Sequence, residues 1–224
     1  MSVAEQLRQV QERIAAACAR AGRDPREVTL VAVSKTQPAE AVREALAAGQ
    51  VDFGENYVQE LVEKHDRAGE GPRWHYIGHL QRNKVKYLAP WVHLIHTLDS
   101  ISLAEEIEKR AAANNRRISV LVQINVAGEE QKSGCEPAEA PDILRAVMGL
   151  PHLEPLGLMT MPPFWPAEQV RPFFRALREL RERLRVETGL ALPEMSMGMS
   201  ADYEAAIEEG GTLVRVGTAI FGIR

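Results

Sequence analysis

The run Val28–Lys35, with the sequence VTLVAVSK, is almost continuously apolar before it ends in a lysine. A short run of this kind is typical of a strand that is buried on both faces of a parallel sheet. We expect the strand to end at Lys35, which shares parity with Val31 and Val33. If the lysine points inward with these valines, partial desolvation lowers its pKa and frees the amine for addition to a carbonyl. The alternative is a lysine whose stem covers the end of the sheet while its ammonium stays in water.

Similar runs recur along the chain and alternate with helical patterns. The further predicted strands cover residues 51–55, 74–78, 94–98, 118–125, 153–159, 195–200 and 213–216. An additional helix, with apolar residues spaced three or four apart from Leu7 to Cys18, precedes the first strand. The count of about eight strands, with no Gly-x-Gly-x-x-Gly after the first, favours an α/β fold of the closed (β/α)8 TIM-barrel type over an open doubly wound sheet. No break in composition divides the 224 residues, so a single domain over residues 1–224 is predicted.

Composition excludes several classes of function. The net charge is −4 and no basic run occurs, so nucleic acid is not an expected partner. No apolar run approaches the ~20 residues that span a bilayer, and the N-terminus has no signal-peptide core. Two cysteines cannot form a disulfide framework, which favours a cytoplasmic location. The helix faces show no large spare apolar stripe, so a monomer is expected, with a dimer left open.

Polar residues gather at the predicted carboxyl ends of the strands, where barrels carry their chemistry. The Gly217-Thr218 turn offers backbone N–H groups and a hydroxyl before a short helical segment, which suits an anion; the alternative is an ordinary tight turn. Ser200 is either a ligand contact or the N-cap of the helix that follows it. An amine at Lys35 and an anion-binding turn at Gly217 match a phosphorylated aldehyde. The resulting hypothesis is that Lys35 forms a Schiff base with pyridoxal 5'-phosphate (PLP).

Arg215 shares parity with Leu213 and Gly217 in the last strand. An arginine inside a strand is costly unless it is paired. The pattern leaves two alternatives open: a structural ion pair, with Glu55 as a candidate partner, or an arginine that faces a ligand. Elsewhere, Ser102 and Glu105 are predicted to form a capping box at the start of a helix.

Four histidines, namely His75, His79, His93 and His96, are spread over two predicted strands and the segments next to them. No group of cysteines and histidines has the spacing of a zinc site. The pattern therefore favours core or surface histidines, and no metal is expected.

Six motifs in order resemble one family over nearly the whole chain. They are VAVSKT (31–36), FGENYVQE (53–60), HYIGHLQRNK (75–84), GLMTM (157–161), SMGMSAD (196–202) and RVGTAIFG (215–222). These segments look like the PLP homeostasis proteins, also called the proline synthase co-transcribed homologue family, which shares its barrel with the N-terminal domain of alanine racemases. One departure is His79, where many members have a small residue or proline.

The resemblance implies a role for each candidate residue. Lys35 would carry PLP as an internal aldimine, Asn56 would lie near the cofactor, and Arg215 would face the pyridine nitrogen. The phosphate would be held by Ser200, Gly217 and Thr218. No residue is assigned a catalytic role.

The same resemblance implies a function in intracellular vitamin B6 homeostasis. Arginine can only donate to the ring nitrogen, which weakens the ring as an electron sink. The chain stops at Arg224, so we expect no second domain of the kind that supplies a tyrosine in racemases. Buffering or delivery of PLP, with transient contact to apo forms of PLP-dependent enzymes, is therefore expected rather than catalysis. The alternatives are a PLP-dependent racemase or decarboxylase of a small amino acid, a Schiff-base aldolase, and a module acting through a protein partner.

Overall fold

Eight parallel strands close into a barrel in the computed structural model, which describes residues 1–129 and 133–222. Each strand pairs with its neighbours in chain order, and β8 pairs with β1 to complete the ring. The strands are β1 Thr29–Val33, β2 Asp52–Glu55, β3 Arg73–Tyr76, β4 Leu94–Leu98, β5 Ile118–Gln123, β6 Leu153–Met159, β7 Glu194–Ser196 and β8 Leu213–Val216. The predicted closed barrel is confirmed, and the open doubly wound sheet is excluded.

Helices cover the outside of the barrel and precede or follow its strands. They are α1 Val3–Arg20, α2 Ala39–Ala47, α3 Val58–Ala68, α4 Val85–Leu88, α5 Ile101–Ala113, α6 Ala140–Met148, α7 Ala167–Thr188, α8 Tyr203–Glu208 and α9 Thr218–Phe221. The predicted N-terminal helix is α1, which begins with a capping box between Ser2 and Glu5. None of the described helices combines the length and the hydropathy that crossing a bilayer requires.

Some bounds of the predicted elements are wrong. The predicted strand 195–200 is β7, which ends at Ser196. The first strand ends at Val33 rather than Lys35, because Ser34 accepts a hydrogen bond from the Gln37 N–H at 2.9 Å and turns the chain. The capping box of α5 is also misplaced, since the N-cap is Ser100, whose hydroxyl accepts from the Leu103 N–H at 3.4 Å. Ser102 lies inside that helix.

The strands place alternate residues inside and outside the barrel, as their two-residue period requires. Outward residues pack against the helices in one large apolar core. A smaller apolar cluster fills part of the interior and consists of Val31, Leu94, Leu121, Met159 and Leu213. Leu213 lies two positions before Arg215, so the parity argument correctly turned Arg215 inward.

Ion pairs connect α1 to α8 on the outside of the barrel. Glu204 lies 2.6 Å from Arg13 and 2.8 Å from Arg20, measured between carboxylate oxygens and guanidinium nitrogens. Burial raises the pKa of the Glu204 carboxyl, but the hydrogen bonds from Arg20 and Arg13 outweigh it and leave the pKa below its ordinary value. The ionised form is therefore favoured by folding.

We predict that Glu204→Gln lowers the free energy of unfolding at pH 7 by about 1 kcal/mol, the scale of a partly exposed ion-pair network. Because the folded-state pKa is lowered, the stabilisation is present above the unfolded pKa and is lost as the pH falls through the folded one. The difference between variant and wild type should therefore shrink below about pH 4.5, the ordinary value for glutamate. Urea denaturation at several pH values measures it.

The matched control is Glu63→Gln. Glu63 pairs with Arg67 within α3 at 3.0 Å, and both side chains are more than half exposed, at 59% and 67%. This substitution should change the stability by only a few tenths of a kcal/mol. Equal losses in the two variants would show that the pairs between α1 and α8 add nothing beyond an ordinary exposed pair.

Candidate functional site

Lys35 lies just beyond the carboxyl end of β1, in the turn that follows Ser34. Its side chain is exposed, so the predicted partial desolvation is not found. No hydrogen bond or ion pair joins the Lys35 amine to any residue in the described part of the chain. The amine is therefore accessible from the carboxyl end of the barrel.

A buried cluster beneath Lys35 fixes the turn that carries it. The Lys64 ammonium donates to the Ser34 carbonyl and to Glu55 Oε1, both at 2.5 Å, and to Glu60 Oε1 at 2.8 Å. Glu60 Oε1 also accepts the backbone N–H of Thr36 at 2.5 Å. The residues on both sides of Lys35 are thus tied to β2 and α3, which holds the Lys35 backbone while its side chain stays free.

Glu55 takes part in this cluster rather than pairing with Arg215. The carboxylate is fully buried, and its Oε1 accepts the Ser34 hydroxyl at 2.6 Å as well as the Lys64 ammonium. Burial raises the pKa of Glu55, and the charge of Lys64 opposes that rise. The proposed pair between Glu55 and Arg215 is wrong because Glu55 faces outward, between the barrel and α3.

Arg215 lies inside the barrel and is only 3% exposed. Its Nη1 donates to Ser196 Oγ at 2.5 Å and its Nη2 to the Thr160 carbonyl at 2.9 Å. A guanidinium has five N–H donors, so further donors stay available for a ligand at the carboxyl end. Burial lowers the pKa of Arg215 to about 10, which leaves it protonated at pH 7.

A chain of hydrogen bonds connects Arg215 to the opposite end of the barrel. Ser196 Oγ lies 2.8 Å from His96 Nδ1, and His96 Nε2 lies 2.9 Å from His75 Nδ1. His75 Nε2 then lies 2.9 Å from Asp52 Oδ1. These side chains come from strands β2, β3, β4, β7 and β8, so the barrel interior contains a continuous polar path beside its apolar cluster.

With one proton on each imidazole, the hydrogen bonds of this chain all point the same way, from Arg215 toward Asp52. Ser196 accepts from Arg215, and its own hydroxyl proton is then available for donation to His96 Nδ1. His96 then carries its proton on Nε2 and donates to His75, which donates to Asp52. Burial, with His75 and Arg215 nearby, holds the pKa of His96 well below its ordinary value, so its ring is neutral. In this arrangement each link of the chain has one donor and one acceptor.

Ser200 and Gly217 are brought together by the ends of β7 and β8. The Gly217 N–H donates to Ser200 Oγ at 3.2 Å, and Ser200 is not the N-cap of α8, which begins after Asp202. A Cβ on Gly217 would lie 3.0 Å from the Val33 carbonyl, which places this turn against the end of β1. Burial raises the pKa of Asp202, whose carboxylate accepts from the Met199 N–H.

Backbone donors surround the contact between Ser200 and Gly217. Four backbone N–H groups on these two segments have no acceptor among residues 1–129 and 133–222. They belong to Ser200, Ala201, Thr218 and Ala219. The serine hydroxyl, which accepts from Gly217, still has its own proton to donate. Free N–H groups on two adjacent segments form a place where a phosphate can bind. Residues Ala201 and Ala219 were not predicted, because their contribution comes from the backbone alone.

Asn56 lies just after β2, next to the turn of Lys35. Its Oδ1 is buried without a hydrogen-bond partner in the described residues, and its carbonyl accepts the Tyr76 hydroxyl at 3.1 Å. A Cβ on Gly78 would lie only 2.0 Å from the Asn56 carbonyl, so only glycine allows β3 to approach this closely. The unpaired Oδ1 is a buried acceptor at the carboxyl end that fits a donor from a bound group. His79, in contrast, is exposed, with Asp99 3.7 Å away.

The sequence analysis did not identify Ser196 or Lys64 as functional candidates. Ser196 stands between Met195 and Met197, and this lone hydroxyl with the parity of the interior was the available signal. Lys64 follows Glu60 by four residues, which suggests only an ordinary surface pair on a helix. Its burial and its contacts to Ser34 and Glu55 depend on tertiary packing.

Comparison with known proteins first defines the class of this barrel. A family model described as the alanine racemase N-terminal domain matches residues 6–224. Alanine racemase from Clostridium difficile 630 shares the fold at a TM-score of 0.76, with 16% identity, over 98% of this chain and 57% of that chain. At such identity the likeness concerns the fold.

Relatives with higher identity define the family. The pyridoxal phosphate homeostasis protein of Aquifex aeolicus is 50% identical over 100% of this chain and 99% of its own length. Its namesake from Escherichia coli K12 is 44% identical over 99% and 97% of the two chains. PipY of Synechococcus elongatus PCC7942, solved with PLP bound, has a TM-score of 0.86 and 35% identity over 99% and 100%. This chain belongs to the pyridoxal phosphate homeostasis protein family, as its six motifs predicted.

We predict that Ser196→Ala lowers the free energy of unfolding by about 3 kcal/mol, because it leaves a buried guanidinium N–H and a buried imidazole nitrogen without a partner. Chemical denaturation at pH 7 measures the loss. Ser119→Ala is the control, since Ser119 lies on β5 and its hydroxyl contacts Glu154 Oε2 at 3.2 Å near the surface. The control should lose about 1 kcal/mol or less. A loss in Ser196→Ala no greater than in the control would contradict the structural role of the chain.

Proposed function

We propose that this chain binds PLP covalently through Lys35 and holds it for buffering or delivery in intracellular vitamin B6 homeostasis. The observation that carries the proposal is the combination found at the carboxyl end of the barrel. An unpaired lysine amine lies beside two segments with free N–H donors, in a family whose member PipY was solved with PLP bound. The amine and the anion-binding segments match the aldehyde and phosphate of PLP.

Each part of the site has a task in this proposal. Ser200, Gly217 and Thr218 would hold the phosphate, with backbone N–H groups that favour an anion. Asn56 would offer its unpaired Oδ1 to a donor near the cofactor. When bound, PLP supplies an aldehyde carbon that a primary amine can attack, and Lys35 is the amine that the turn presents.

Arg215 favours storage over turnover. It stays protonated at neutral pH and has only donors, so it would hydrogen-bond to an unprotonated ring nitrogen. An unprotonated ring is a weak electron sink, which disfavours carbanion chemistry on an amino acid. The chain from Ser196 to Asp52 keeps the guanidinium in place, so this preference is built into the barrel. Delivery to apo forms of PLP-dependent enzymes in the cytoplasm, by a monomer, is part of the same proposal.

We predict that Lys35→Ala abolishes the visible absorbance band of the lysine-bound cofactor while leaving weak, phosphate-anchored binding. The wild-type protein should show the band, lose it on borohydride treatment, and then carry a pyridoxyl group on the peptide that contains Lys35. Absorbance spectroscopy followed by peptide mass mapping measures both results.

Lys86→Ala is the matched control, because Lys86 is an exposed lysine on α4 whose ammonium lies 5.0 Å from the centre of the Tyr87 ring. It should keep the band at full intensity. A wild-type protein without the band after incubation with PLP would overturn the proposal and favour the Schiff-base aldolase alternative. Label on another lysine would overturn the assignment of Lys35.

We further predict that the PLP-loaded protein exchanges the α-proton of L-alanine in deuterated water no faster than the same concentration of free PLP. The reason is the donor-only contact that Arg215 would make with the ring nitrogen. Mass spectrometry of the amino acid measures deuterium uptake. Exchange well above that of free PLP would favour the racemase or decarboxylase alternative.

A further inference from the structure

Three potential metal ligands meet at the amino end of the barrel, opposite the Lys35 site. Asp52 begins β2, His75 lies in β3, and His93 immediately precedes β4. One ligand atom from each residue lies within 4.8 Å of the others. The three strand segments are neighbours in the sheet, and the His93 N–H donates to the Trp74 carbonyl at 2.9 Å, which fixes its backbone beside β3.

We propose that Asp52, His75 and His93 form a binding site for a divalent transition-metal ion of borderline softness, of which Zn²⁺ is the type. Two imidazoles and one carboxylate are a ligand set that such ions prefer. Three protein ligands leave a further coordination position for water or another small ligand. This inference is independent of the proposed PLP function, because the two sites lie at opposite ends of the barrel.

The geometry requires little rearrangement. His75 Nε2 and Asp52 Oδ1 are 2.9 Å apart and share a proton, which is close to the roughly 3 Å separation of two ligands on one zinc ion. The ring of His93 lies across the edge of the His75 ring, with centroids 5.2 Å apart and planes at 62°. His93 is exposed, so its ring can turn toward the other two ligands at low cost.

His93 is the residue that distinguishes a metal site from a purely structural network. Asp52 and His75 already have partners in the chain that leads to Arg215. The ring nitrogens of His93 have no hydrogen-bond partner among the residues that the structure describes, so its ligand atoms are free. A structural hydrogen-bond network accounts for the positions of Asp52 and His75. It does not account for the His93 imidazole that lies beside them.

The surroundings provide what ligands of a metal usually need. Asp52 Oδ2 accepts from Arg73 Nη2 at 2.6 Å, which leaves Oδ1 for the ion and orients the carboxylate. Asp52 and Arg73 line a surface cavity of about 350 Å³ that neither histidine lines, so the exposed His93 provides the solvent access of the site. The guanidinium charge of Arg73 weakens cation binding, and its side chain, 52% exposed, is free to move outward.

Metal binding reverses the direction of the hydrogen-bond chain without releasing a proton. The ion takes the Nε2 lone pair of His75, so the His75 proton moves to Nδ1 and is donated to His96 Nε2. His96 then carries its proton on Nδ1 and donates to Ser196 Oγ. The serine oxygen has two lone pairs and also accepts from Arg215, and its own hydroxyl proton rotates away from His96. His75 thereby gains the outer partner that metal-bound histidines almost always have.

Competition for Zn²⁺ with a chromophoric chelator tests the proposal on the full chain as purified, with the PLP content of every sample matched. The wild-type protein should withdraw one Zn²⁺ per chain from the chelator. Co²⁺ should give visible d–d bands at the same stoichiometry. His93→Ala should lower the affinity by about tenfold or more, since it removes a direct ligand.

His79→Ala is the control, because His79 is also an exposed histidine and lies at the other end of the barrel. It should bind Zn²⁺ and Co²⁺ as the wild type does. A thermal scan without metal checks that both variants fold, which is expected because both side chains are exposed. Absence of competition by the wild type, or equal binding by wild type and His93→Ala, would overturn the site.

Discussion

A guanidinium enclosed in a closed barrel is the constraint on which the interior depends. Burying an unpaired charge costs several kcal/mol, so Arg215 requires acceptors that the apolar interior residues cannot supply. Ser196 and the Thr160 carbonyl provide them, and Ser196 in turn hydrogen-bonds to His96 Nδ1. One buried charge thus determines the chemistry of inward positions on five strands, down to Asp52 at the opposite end.

The two ends of the barrel receive different chemistry from this arrangement. At the carboxyl end, the cluster of Lys64 with Glu55 and Glu60 holds the Lys35 turn from outside the strands, while Arg215 presents its remaining donors from inside. At the amino end, the hydrogen-bond chain ends at the carboxylate of Asp52, which stays ionised. Burial raises the pKa of Asp52, but hydrogen bonds from His75 and Arg73 outweigh it, so the net pKa lies below the ordinary value. The barrel therefore connects a cationic donor at one end to an anionic acceptor at the other.

Sequence patterns predicted local features well and partners poorly. Short apolar runs located all eight strands, and the two-residue period turned Arg215 inward, because both are local properties of the sequence. The partner of Arg215 was misjudged, since Glu55 lies on the outward face of β2 and pairs with Lys64 of α3. The sequence left two orientations of Lys35 open, and the exposed one is found because a turn between Ser34 and Gln37 ends the strand early. The capping box at Ser102 is also wrong, because Ser100, two residues earlier, is the N-cap of the helix.

The sequence by itself determined the closed α/β barrel, the family and the residues Lys35, Asn56, Ser200, Arg215, Gly217 and Thr218 as candidates for one site. These depend on periodicity and on motifs, which are read along the chain. Only the tertiary structure decided which side chains share protons, which backbone N–H groups stay free, and that Asp52, His75 and His93 meet. Barrel folding brings together residues far apart in the chain, such as His96 and Ser196, which are 100 positions apart, and no local pattern encodes that pairing.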